Sequence, residues 1–142
     1  MPYEIISHTA DIGLRVKSPD LKGLFEDAAE GFFDLVTDLR AVRSSKTKKS
    51  LEIEMNFQEE NTAELFMRWL QELLFIFSAR RLVLTRFDFI SLTPMMLKLR
   101  GEGVPFDPKV HPVRHEVKAV TFHQFRVIQK KNGWEAEVIF DI

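Results

Sequence analysis

Asn132-Gly133, flanked by two strand-like runs at residues 117–128 and 134–139, constrains this chain more than any other feature. Asn-Gly supplies the positive φ angles of a type I′ turn, so the two runs are expected to fold back as a two-residue hairpin. That turn sets a register: Lys131 faces Trp134, Val127 faces Val138, Phe125 faces Phe140 and Gln124 faces Asp141. By the two-residue period of a strand, Phe125, Val127, Ala136 and Trp134 share the core side. Lys118, Phe122, Gln124, Arg126, Glu137, Ile139 and Asp141 share the other. Asp141 is thus expected on an ordered strand at the outer sheet surface, one residue from the α-carboxylate of Ile142.

Upstream, residues 3–6 read as a short strand. Ile12, Leu14 and Val16 alternate as in a strand with one buried face, which leaves His8 to Asp11 in a strand connection. Ser18-Pro19-Asp20 opens a helix, with Ser18 as its cap and Pro19 at the first helical position. Leu21, Leu24, Phe25, Ala28, Phe32, Leu35 and Val36 give it an apolar stripe ending near Asp38. Residues 40–50 read as a loop carrying Arg43, Lys46, Lys48 and Lys49. Leu51, Ile53, Met55 and Phe57 alternate with polar residues and form a strand. Asn61-Thr62-Ala63-Glu64 has the form of a capping box. It opens a second helix to about Ala79, apolar nearly all round and therefore central. Residues 82–92 and 95–100 read as strands on either side of Thr93-Pro94, and residues 101–112 as loop. Two helices among runs of strands indicate an α+β fold with a mostly antiparallel sheet, residues 1–142 forming one domain.

Composition narrows the function. The 13 phenylalanines are enough apolar surface to offset the ordering entropy that keeps polar chains disordered. The absence of cysteine excludes a disulfide framework, a thiolate metal site and a cysteine nucleophile. A net charge of −1 gives no global nucleic-acid signature. There is no apolar run of about 18 residues and no charged-then-apolar leader, so a cytoplasmic protein without a membrane span is expected. The P-loop, the dinucleotide fingerprint, the nucleophile elbow and the His-Glu-x-x-His helix are all missing.

What remains is a small set of polar residues: His8, Asp11, Asp141 and Ile142, with His111, His115, Lys118 and His123. Aspartates and a terminal carboxylate are oxygen ligands that suit a hard cation such as calcium, magnesium or manganese. Crowded carboxylates repel, and a cation relieves them. The pattern alone leaves blander readings open. Asp11 also reads as a turn residue bonding its own backbone, Asp141 as an exposed strand-end carboxylate and Lys118 as a solvated lysine. His8 and His123 also read as structural histidines, and His111 and His115 as loop residues.

Three blocks resemble the archease family. They are His8-Thr9-Ala10-Asp11-Ile12-Gly13, then Trp69-Leu70 with Glu72-Leu73-Leu74, and finally residues 117–123 together with Val138-Ile139-Phe140-Asp141-Ile142. Phe122 departs from the family, where an aromatic with a hydroxyl is common. The resemblance implies a fold of strand–helix–strand–strand modules of the SHS2 type, one inserted in another. It implies a non-catalytic activator of an RtcB-type RNA ligase in tRNA splicing, which promotes guanylylation and turnover of the ligase and can broaden its nucleotide use. On that reading GTP and manganese belong to the ligase, tRNA is reached only through it, and DNA and membranes are not partners. Asp11, Asp141 and an oxygen of Ile142 match the family's cation site, with calcium or another hard ion as the occupant. Lys118 matches a lysine implicated in activation, and His8 and His123 match motif positions. Two other functions fit the residues: a direct RNA-binding module, suggested by the basic stretch from Arg43 to Lys49 and the positive balance of residues 65–142, and a metal-dependent hydrolase. The second would need more carboxylates and histidines than can be placed.

Overall fold

Asp20, and not Ser18, caps the first helix. The computed structural model describes residues 2–7, 10–45 and 50–142. It begins with β1 (Tyr3–Ser7), β2 (Asp11–Ser18), α1 (Leu21–Val36), α2 (Leu39–Ser44) and β3 (Leu51–Gln58). It continues with α3 (Thr62–Arg80), β4 (Leu82–Leu92), β5 (Met96–Pro105), β6 (Ala119–Lys130) and β7 (Gly133–Asp141). Ser18 is held as the last residue of β2, paired with Trp134. The cap therefore falls to Asp20, whose Oδ1 accepts from the Gly23 N–H at 2.7 Å. α1 stops at Val36, and residues 39–44 form the short α2 where a loop is expected, because the Asp38 carboxylate accepts from Ala41 N–H at 3.2 Å and caps it. Lys46, Lys48 and Lys49 lie outside the described residues. α3 starts as the capping pattern implies, with the Asn61 side chain accepting from Glu64 N–H at 2.9 Å.

The fold is α+β with two antiparallel sheets, ordered β1-β2-β7-β6 and β3-β5-β4. In chain order, β2, α1, β6 and β7 are strand, helix, strand, strand. β3, α3, β4 and β5 repeat that order and lie between α1 and β6, so the second unit is inserted in the first. β5 runs on to Pro105, past the expected end, because Gly101 and Gly103 pair with both Ile53 and Leu51 of β3 and Phe87 and Leu84 of β4.

The core joins the two units. Trp69 of α3 is fully buried, and its indole N–H donates to the Phe25 carbonyl of α1 at 2.9 Å. Its ring lies 6.2 Å from Phe25, and 5.6 Å from Phe89 of β4. Ile12, Leu14 and Val16 of β2 and Val138 and Phe140 of β7 supply the other wall. Phe75 is the exception on α3: it is exposed, so this helix is not buried all round.

One side chain of α1 titrates unusually. Burial, then the neighbouring Glu30, Glu26 and Asp20, push the Asp27 carboxyl from 3.8 up to about 6. The folded state thus holds this proton more tightly than the unfolded chain. Its contribution to stability grows as pH falls through 6 toward 3.8, and at neutral pH the charge is a cost. Asp27→Asn is expected to raise the urea midpoint at about pH 7.5 and to change it little at about pH 4.5.

The C-terminal hairpin forms, with a different turn. Lys130 pairs with Gly133, so Lys131 and Asn132 make the turn and Gly133 opens β7 with φ +141°. The pairing is shifted by two residues from the expected register: Val127 faces Ala136 and Arg126 faces Glu137. A two-residue shift preserves the faces. A second irregularity does not. Between Arg126 and Thr121 the ladder slips, and Thr121 faces Ile139 while Ala119 faces Asp141. β6 therefore carries three extra residues in this stretch, with Gln124 in the left-handed region at φ 53°. This reverses the parity of everything N-terminal to the bulge, so Lys118 and Asp141 do not share a face as expected.

Candidate functional site

Asp11 opens β2 and Asp141 ends β7, and the two are direct partners in the antiparallel register. The Ile142 N–H donates to the Ala10 carbonyl at 3.4 Å. That bond makes Ala10 and Ile142 a hydrogen-bonded pair, so Asp11 and Asp141 form the closer, non-hydrogen-bonded kind. Their side chains lie on the outer face, because Ile12 and Phe140, next in each strand, are buried against α1. Cβ atoms in such a pair stand about 4.5–5.5 Å apart, and like charges so placed are destabilising.

The burial of the two differs. Asp141 is exposed, whereas Asp11 is half-buried, and its Oδ1 is shielded from solvent with no hydrogen-bond partner among the described residues. A buried carboxylate oxygen without a donor is costly and calls for an explanation. The remainder of this outer face is neutralised in pairs. Arg15 bridges Glu4 and Glu137, each at 3.5 Å, and Arg126 reaches Glu137 at 3.3 Å. The two aspartates have no such bridge among the described residues. Two carboxylates on facing residues are the donor type that suits a hard cation. Among the described residues no group of three His, Asp or Glu side chains gathers as a metal site, so a cation here would also need main-chain oxygen or water.

The other expected residues are distributed around this end of the sheet. Lys118 is exposed, and its backbone N–H donates to the Asp141 carbonyl at 2.8 Å. The bulge thus brings the Lys118 backbone to Asp141 although parity separates their side chains. His123 lies in the bulge, exposed, its N–H directed to Thr121 Oγ1 at 3.3 Å. His8 falls outside the described residues. His111 is fully buried: Nδ1 accepts from Asp107 N–H at 3.0 Å and Nε2 lies 3.3 Å from Ser45 Oγ. It is a structural histidine that pins the connection from β5 to β6. Thr37 Oγ1 donating to the Pro112 carbonyl at 2.6 Å and Arg114 N–H donating to the Val36 carbonyl at 3.1 Å fasten the same connection to the end of α1. This strap delivers Lys118 to Asp141. His115 is half-buried beside it.

Phe122 is the residue that pattern reading undervalued. It is 68% exposed at the bulge, edge-on to Phe125, which stacks on Phe66 of α3. Residues 121–125 contain no glycine to announce the break, so no local signal marks it.

Comparison with known proteins agrees with this architecture. The chain matches the Archease protein family over residues 3–142. It is similar to the protein archease of Methanopyrus kandleri, 36% identical over 100% of both chains. It is also similar to the protein archease of Pyrococcus furiosus, 33% identical over 99% of this chain and 98% of that one. Among solved structures it resembles the solution structure of Methanobacterium thermoautotrophicum protein 1598. The TM-score is 0.71, at 30% identity over 99% of each chain.

Proposed function

The chain belongs to the archease family, and from that premise we propose that it is a non-catalytic activator of an RtcB-type RNA ligase in tRNA splicing. Asp11 and Asp141 are its working end. The observation that carries this reading is the registered pair itself, with Asp11 Oδ1 buried and, among the described residues, unpartnered opposite a second carboxylate. Asp11, Asp141 and an oxygen of Ile142 would hold a divalent cation, calcium or another hard ion, which offsets the repulsion between the carboxylates. Asp141 is exposed at the end of β7 and can enter a cleft. In the ligase cleft, this end biases the placement of metal or nucleotide during guanylylation. Lys118 and His123 flank it, and His8 precedes it in sequence. The chemistry stays in the ligase, with its own GTP and manganese, and tRNA is engaged through the ligase. The setting is the cytoplasm, in keeping with the finding that no helix among the described residues is long and apolar enough to cross a membrane.

The reading is tested by following guanylylation of a partner ligase, with and without this protein. A rate unchanged by its addition would remove the support for activation. The cation component has its own readout. With free calcium at about a hundred times its Kd, binding would add about 2.7 kcal/mol to the folded state and raise the Tm. Asp11→Asn is expected to abolish that rise. In chelator the same variant is expected to be no less stable than the wild type, because it removes a buried charge facing another. A calcium-induced Tm rise of equal size in both proteins would exclude Asp11 as a ligand.

A further inference from the structure

A hollow of about 560 Å³ opens beside the working end, between the C-terminal end of α3, the end of β5 and the strap. Its volume and its largely apolar walls are those of a ligand site. The Phe77 and Phe106 rings meet edge to face in its lining, 5.1 Å apart, and Val117 lines it from the strap, buried. The Phe106 N–H donates to the Arg81 carbonyl at 2.8 Å, which fixes the end of β5 to the end of α3. These walls are therefore in place before anything binds. Val113 stands at the mouth, 63% exposed. Arg81 Cζ lies 5.8 Å from the Phe77 ring centroid, so the guanidinium rests against the apolar wall. Glu116 lines the hollow from the strap. Arg81 and Glu116 are both exposed, are not paired with each other, and make no side-chain hydrogen bond or ion pair among the described residues.

We propose that this hollow receives a segment of the ligase at the rim of its cleft. An apolar side chain of that segment enters beside Phe77, Phe106 and Val113, an acidic neighbour meets Arg81 and a basic one meets Glu116. The identity of the partner rests on the activator reading. Val117 directly precedes Lys118, whose N–H donates to the Asp141 carbonyl at 2.8 Å. A cleft that receives Asp141 therefore brings its rim over the hollow. The unpaired charges, one at the end of α3 and one on the strap, call for both signs in the occupant. A small anion would satisfy Arg81 alone and leave Glu116 and the exposed Val113 uncovered. An apolar centre with polar groups around it is the anatomy of a protein interface.

The test follows acceleration of single-turnover guanylylation against the concentration of this protein, which separates affinity from maximal effect. Val113→Asp puts a charge at the mouth of the hollow. Arg81→Asn removes the cation with a residue that accepts the left-handed backbone at φ 52°. Each variant is shown to be folded by its urea midpoint. Both are expected to raise the half-saturating concentration roughly tenfold and to leave the maximal acceleration unchanged. Half-saturation equal to that of the wild type in either folded variant overturns the site and leaves the activator reading standing. A lower maximum at unchanged half-saturation also overturns it, because the hollow would then act by positioning Lys118 through the strap. A wild-type dimer that Val113→Asp converts to a monomer in sedimentation would put a second copy of this chain in the hollow and overturn the ligase as its occupant. No acceleration by the wild type at any concentration removes the activator reading, and this partner with it.

Discussion

Gly133→Ala is expected to destabilise the protein by roughly 2–6 kcal/mol, through backbone strain of about 1–3 and overpacking of about 1–3. Gly133 has φ +141°, a conformation that an L side chain rarely adopts. A Cβ there would sit 2.2 Å from the Ser18 carbonyl oxygen and 2.8 Å from the Pro19 Cα. Both are backbone atoms at the junction of β2 and α1, so no side-chain rotation can relieve the clash. The hairpin and the start of α1 would have to separate. Urea denaturation should show a midpoint far below that of the wild type. An unchanged midpoint would mean that the β2–α1 junction yields freely.

Trp69→Ala is expected to cost about 3–5 kcal/mol for the lost ring, and roughly 1 more for the Phe25 carbonyl it leaves without a donor. Against a total stability of about 5–15 kcal/mol, that is a large share. Trp69 lies on the inserted unit and Phe25 on the outer one, so the loss falls where the two units meet. Trp69→Phe keeps an aromatic ring and is expected to lose less. Equal losses in the two variants would show that ring packing at this position contributes little.

The sequence made the faces of the strands legible and their neighbours illegible. Alternation gave Ile12, Leu14 and Val16 one buried face but left Asp11 in a strand connection, where the structure makes it the first residue of β2, and the hairpin placed Asp141 outward from Val138 and Phe140. Neither pattern says that β2 lies beside β7, because that pairing joins segments more than a hundred residues apart and no local period encodes it. The hairpin was recognisable from Asn132-Gly133, yet the turn fell one residue earlier. Gly133 was needed where β7 passes the Ser18–Pro19 backbone, a close approach visible only in three dimensions. The shift at residues 122–125 had no glycine or proline to mark it, and it moved Lys118 to the other parity. α2 was missed because six residues are too few to show a helical period. His111 read as a loop residue because nothing in the chain around it signals that Ser45 and Asp107 enclose it.

On the proposed function, the working end and the elements that support it respond differently to substitution. His111, Thr37 and Arg114 hold the strap that leads to Lys118, so their replacement should change stability and activation together. Asp141 is exposed, and its side chain has no hydrogen bond or ion pair among the described residues, so its replacement should spare the fold.

The central claim is that the facing aspartates act on the ligase, and the direct measurement is single-turnover guanylylation of an RtcB-type ligase with GTP and manganese. Four samples are compared: ligase alone, and ligase with the wild type, Asp11→Ala or Asp141→Ala, each variant shown to be folded by its urea midpoint. The account predicts acceleration by the wild type and rates near that of ligase alone with either variant. Acceleration by folded Asp141→Ala equal to that of the wild type would contradict it.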